Sequence, residues 1–145
     1  MRAVIQRVSK SRVTVEGKTK GEIGKGLLVL LGIKKGDTEE KAVKMGKKIA
    51  NLRIFEDERG KMNLSLKEIE GEVLLVSQFT LYGDALKGRR PSFEKVAPPE
   101  QALSLYQKVR EVLKEEGIVT KTGEFGARME VELINQGPVT IIVEI

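Results

Sequence analysis

The chain has 145 residues, 40% of them hydrophobic, with 26 basic against 21 acidic residues for a net charge of +5, and it contains neither histidine nor cysteine. That length suits one domain, residues 1–145, with a closed core, and the two absences exclude Ser-His-Asp and Cys-His catalysis, His/Cys zinc sites and thiol chemistry. The positive surplus suits a polyanionic partner, but acidic and basic residues are interleaved along the chain, so a heavily charged wet surface explains it equally well.

Taken in chain order, Ala3 to Val8 and Arg12 to Glu16 alternate apolar with polar residues and predict two half-buried strands, followed by a turn at Gly17-Lys18. The run from Gly26 to Ile33 is apolar without interruption, which predicts a central strand covered on both faces. It is far shorter than the roughly 20 residues that cross a bilayer. The opening MRAVIQRVSK has no apolar leader region, so the expectation is a cytoplasmic chain. Asp37 followed by Glu40 resembles a capping box, and Ala42, Met45, Ile49 and Leu52 recur at helical spacing behind it. Arg53 to Glu56 and a turn at Asp57 to Gly60 come next, then a strand from Glu72 to Leu81. Pro98-Pro99-Glu100 starts a second helix whose apolar face runs from Ala102 to Leu113 and which stops before Gly117. Ile118 to Thr122, Arg128 to Ile134 and Val139 to Glu144 complete the strands. The order predicts an α+β fold: a mixed or antiparallel sheet, or partial barrel, with two helices packed outside it.

Three segments could carry chemistry. In the first, a buried apolar strand abruptly presents Ser77, Gln78 and Thr80; these either satisfy neighbouring backbone at a strand end or form the floor of a pocket. Without His or Cys, an acyl-transfer site can still use backbone N–H groups, here of Gln78, Phe79 and Thr80, aimed at a developing oxyanion. The second, Asn135-Gln-Gly-Pro-Val-Thr140, has ordinary turn chemistry, and the Gly137-Pro138 bond is open to either isomer. The third is a basic loop in which Lys87, Arg89 and Arg90 could hold phosphate or simply be solvated.

Ser-Gln-Phe-Thr-Leu at 77–81 together with Asn-Gln-Gly-Pro-Val-Thr at 135–140 resembles the paired signature of the D-aminoacyl-tRNA deacylase family. The resemblance extends in order over Met1 to Val8, Gly21 to Gly32, Arg53 to Phe55, Gly60 to Leu64 and Arg90 to Phe93. It implies a tRNA-editing hydrolase that frees D-amino acids, and glycine, from tRNA while sparing L-aminoacyl-tRNA. It also implies a two-fold homodimer in which cis Gly137-Pro138 of one copy enters the pocket of the other, facing Ser77, Gln78, Phe79 and Thr80, with Arg7 and Met129 bracing the bend. Attack by water helped by the ribose 2′-hydroxyl would then need no protein nucleophile, no cofactor and no metal. Expected partners are tRNA and a second copy, not membrane or DNA.

Two rivals compete with that reading. A non-catalytic RNA-binding module would use the basic charge, but Phe79 and Phe93 stand apart in sequence instead of forming an aromatic platform. A serine or threonine esterase would need a base, and the chain has no Gly-x-Ser-x-Gly.

Overall fold

The computed structural model describes residues 1–145. The elements are β1 (Arg2–Val15), β2 (Lys18–Ile23), β3 (Gly26–Gly32), α1 (Glu39–Asn51), β4 (Phe55–Glu56), β5 (Met62–Leu64), β6 (Glu72–Ser77), α2 (Pro99–Glu115), β7 (Thr120–Thr122) and β8 (Glu130–Glu144), with a 3-10 turn at Phe79–Tyr82 between β6 and α2.

The main sheet runs β2-β1-β3-β6-β7, and β8 joins it by pairing with β1. β3 is antiparallel to β1 and parallel to β6, so the sheet is mixed and the apolar run is central. Its period-2 alternation sorts residues between two cores. Leu27, Val29 and Leu31 join Val73 and Leu75 under the helices, whereas Leu28 joins Leu74, Val76, Val8 and Val13 on the opposite face. The two ends of the sheet curl toward each other until Gly21 of β2 lies so close to β7 that a Cβ there would sit 2.5 Å from the Thr122 carbonyl. The sheet is nearly closed, and the fold is α+β.

Both helices cover one face, each through an apolar stripe: Ala42, Met45 and Ile49 from α1, and Leu105, Val109 and Leu113 from α2. Burying such a side chain completely contributes about 1.5–3 kcal/mol. Gly46 lets the helices cross closely, because a Cβ there would meet Val112 at 2.7 Å.

Four local expectations need correction. The two predicted N-terminal strands are one 14-residue strand, β1, since no breaker interrupts the alternation. The last two predicted strands are likewise one, β8, and residues 136–139 bulge out of it between the paired Asn135 and Thr140, which face Val8 and Gln6 on β1. The strand expected to reach Leu81 ends at Ser77 and tightens into the 3-10 turn. Finally, α1 is capped by Thr38, whose hydroxyl accepts from Lys41 N–H at 3.3 Å, not by an Asp37 box. The Asp37 carboxylate has a stronger partner, the buried α-ammonium of Met1 at 2.8 Å, and it also accepts the Lys34 N–H at 2.9 Å.

Candidate active site

Ser77 closes β6, and Gln78 bridges to the turn at 79–82. Leu31 lies beside Ser77 in the parallel ladder, and its carbonyl accepts the Gln78 N–H at 2.8 Å, which fixes where strand becomes turn. The first bond of the turn runs from Leu81 N–H to the Gln78 carbonyl at 3.3 Å. The N–H groups of Phe79 and Thr80 precede that bond, as the first donors of any helical turn do. The Gln78 amide donates to the Thr80 hydroxyl, so the side chains of this segment are organised locally.

Ser77, Gln78 and Phe79 line a cleft of about 690 Å³ whose walls are mostly apolar. The rest of its lining comes mainly from two segments, 93–99 and 125–131, of which the sequence reading had assigned only Met129 to a site. Phe93 entered the sequence reading through the family resemblance and as an isolated aromatic, and Phe125 was not singled out. Lys35 is the one charged side chain on the lining. The cleft of this chain therefore contains no carboxylate or imidazole to act as a base beside Ser77 or Thr80.

Phe79 and Phe93 do not stand apart. Their rings meet edge to face with centroids 5.3 Å apart, although fourteen positions separate them in sequence, and both remain substantially exposed at the cleft rim. Their separation along the chain is therefore not a separation in space, although two rings meeting edge to face do not form a flat platform for stacked bases. Lys87, Arg89 and Arg90 are exposed on a loop pinned at its root by paired Asp84 and Ser92 backbones, and they take part in no ion pair.

The 135–138 bend lies elsewhere. The Gly137-Pro138 peptide is cis, and both residues are exposed. Arg7, only 5% exposed, donates to the Gln136 carbonyl at 2.9 Å and to the Ile54 carbonyl at 2.8 Å. Asn135 ties the base of the bend, accepting from Val139 N–H at 2.7 Å and donating to the Val139 carbonyl at 3.2 Å. Met129 is not part of this bracing within the chain: it lines the cleft, immediately before β8 and eight positions from Gly137. The structure thus joins Ser77, Gln78, Phe79 and Met129 at the cleft, with Thr80 on the adjoining turn, and Arg7 with Gly137-Pro138 at the bend. Within one copy, the bend does not line the cleft.

The model of the D-Tyr-tRNA(Tyr) deacylase family matches residues 4–144. A D-aminoacyl-tRNA deacylase from Desulfatibacillum aliphaticivorans is 61% identical over 144 residues, covering 99% of each chain. One from Geobacter sulfurreducens is 57% identical, covering 99% of this chain and 95% of its own. A solved structure named c-Myc DNA Unwinding Element Binding Protein is 45% identical and superposes with a TM-score of 0.92, covering 99% of this chain and 98% of that one. A probable eukaryotic D-amino acid tRNA deacylase shares the fold with a TM-score of 0.85 at 19% identity, again over 99% and 98% of the two chains. A nearly closed α+β sheet and full-length likeness to curated deacylases define a hydrolase of translation proofreading. The chain belongs to the D-Tyr-tRNA(Tyr) deacylase family.

Proposed function

We propose that the chain hydrolyses the ester of D-aminoacyl-tRNA and works as a two-fold dimer in which the 137–138 bend of one copy completes the cleft of the other. The observation that carries this reading is the complementary incompleteness of the two regions. The cleft is bordered by the 79–82 turn and holds no carboxylate or imidazole, and the bend is held at its base yet projects from its own chain. β8 pairs only with β1, so its outer edge is open, and Ile134 and Ile142 on the same strand are exposed. A two-fold axis makes the exchange reciprocal and gives two equivalent pockets.

The chemistry follows from the substrate bond. An ester is far more reactive than an amide, and water assisted by the ribose 2′-hydroxyl attacks its carbonyl while the N–H groups of Phe79 and Thr80 hold the developing oxyanion. Thr80 as a nucleophile is disfavoured, because its hydroxyl meets the Gln78 amide and no base. Gly137 and Pro138 carbonyls capture the substrate α-amino group, leaving space for hydrogen or a D-side chain and placing an L-side chain against backbone. Glycyl-tRNA is consequently a substrate too. Lys87, Arg89 and Arg90 contact acceptor-end phosphates, and the enzyme acts in the cytoplasm.

The test compares deacylation of D- and L-tyrosyl-tRNA, with sedimentation of the same sample. Turnover of the D-ester alone by a dimer is expected; equal rates on both esters, or an active monomer, would remove the chiral gate. Duplex DNA as competitor shows whether the property in the name of the 45%-identical relative extends to this chain: the tRNA reading expects little competition.

A further inference from the structure

The 79–82 turn is gripped from behind by one row of residues running across three strands, and we infer that Arg2, Glu144 and Tyr82, seated over Gly32, are positioning residues for the Phe79 and Thr80 N–H groups. This inference rests on the oxyanion role proposed above.

Arg2 of β1 is the register partner of Glu144 of β8 on one side and of Gly32 of β3 on the other. From that central place its guanidinium reaches both ways: Nη1 donates to the Leu81 carbonyl at 2.7 Å, and Nε donates to Glu144 Oε2 at 2.5 Å. Glu144 uses its second oxygen, Oε1, to accept the Tyr82 hydroxyl at 3.0 Å. Tyr82 is 5% exposed, and the Arg2 guanidinium lies 4.9 Å from its ring centroid. The turn thus has one residue held through its backbone carbonyl and the next through its side chain, both by the same ion pair. On the strand side there is no slack, since a Cβ on Gly32 would meet Leu81 Cβ at 3.0 Å, the Gln78 carbonyl at 3.1 Å and the Tyr82 ring at 3.3 Å.

Phe79 and Thr80 make no comparable tertiary hydrogen bonds of their own; their orientation is inherited from Gln78 before them and from Leu81 and Tyr82 after them. Fork geometry matters here, because one guanidinium satisfies a carbonyl and a carboxylate at once with fixed angles. Donors that stabilise a transition state act through their exact placement, and a shift of about 1 Å can cost on the order of 100-fold in rate. None of the row residues lines the cleft, so loosening the row moves the donors without touching substrate-binding surface.

The test measures kcat and KM on D-tyrosyl-tRNA, with melting temperature, for Arg2→Ala, Tyr82→Phe, Glu144→Ala and Glu144→Gln. Arg2→Ala and Glu144→Ala are expected to lower kcat by about tenfold or more with KM within about twofold. Glu144→Gln can set its carbonyl oxygen against Arg2 Nε and its amide N–H against the Tyr82 oxygen, so it keeps both contacts without the charge and is expected to recover much of the rate, a rescue that simple loss of stability does not produce. Tyr82→Phe removes one hydroxyl and keeps the turn measurable if the alanine variants do not fold. Unchanged kcat in folded Arg2→Ala or, failing that, in Tyr82→Phe would overturn the inference, as would a rise in KM with kcat intact. Lack of turnover by the unaltered chain would instead sink the deacylase reading itself, and this inference with it.

Discussion

The 79–82 turn and the 135–138 bend are both interruptions of β-structure, but they are held in opposite ways. The turn is packed onto β3 and clamped by residues from two other strands, so its accuracy comes from the core of its own chain. The bend faces solvent, and its shape is fixed by a few polar contacts at its base, from Arg7 and Asn135. An irregularity seated on the core through one buried side chain, as the turn is through Tyr82, can be held by packing, whereas one that projects wholly into solvent needs hydrogen bonds at its base. In the proposed dimer, the difference suits a surface that must hold its shape before a second copy covers it.

Substitutions can break this contrast, and Gly137→Ala should break it most. Gly137 sits at φ +140°, and a Cβ there would lie 2.7 Å from Val139 and 3.0 Å from the Arg7 guanidinium. Strain of roughly 1–3 kcal/mol and a displaced bend are expected to cut D-tyrosyl-tRNA deacylation on the order of 100-fold, measured against L-tyrosyl-tRNA for loss of discrimination. Unchanged rate and preference would show that the bend is not the gate.

Arg7→Met comes next, because it strips two charge-assisted bonds and leaves the Gln136 and Ile54 carbonyls without their donor. A loss of about 3 kcal/mol in urea unfolding is expected, with activity falling further than stability alone explains. A smaller effect is set by pH. Burial raises Glu144, but its bonds from Arg2 and Tyr82 outweigh that and hold it below its ordinary 4.5. Backbone N–H groups of Lys61 and Ser65 likewise lower Asp57 and Glu68. A carboxyl with a depressed folded pKa contributes stability above its unfolded value, and that contribution disappears as pH falls through the folded one. Melting temperature should therefore drop below about pH 4.5, and Glu144→Gln should flatten part of that fall; an identical acid limb in the variant would argue against the Arg2–Glu144–Tyr82 contact. Least affected should be Thr80→Ala, which removes a hydroxyl but keeps the N–H. A rate within about threefold of the parent is expected, and complete loss in a folded variant would favour the nucleophile reading.

Much of this was legible along the chain, and what was not has physical reasons. The apolar run at 26–33 depends on unbroken hydrophobicity and the stripes of both helices on periodicity, and they stand where the chain put them, as β3, α1 and α2. The polar residues at 77–80 announced themselves by interrupting an apolar strand. Asp37 was misread because its partner, the Met1 ammonium, lies thirty-six positions away and outranks a local cap. The Phe79–Phe93 contact and the 125–131 wall arise from tertiary folding and leave no periodic trace. The merging of two strands into β8 was hidden because Gly-Pro reads as an end, while pairing with the one long strand β1 on both sides of it lets it sit inside a continuous ladder as a bulge.

The donors that precede the turn's first bond belong to peptide groups, not to side chains. Replacing Phe79 or Thr80 by any residue except proline leaves an N–H in place, so random mutagenesis of the cleft should yield few null alleles there. If the proposed oxyanion role holds, inactivating changes should instead collect at Gly32, Gly137 and Arg7, and a genetic map of lost function would trace the scaffold and miss the peptide donors.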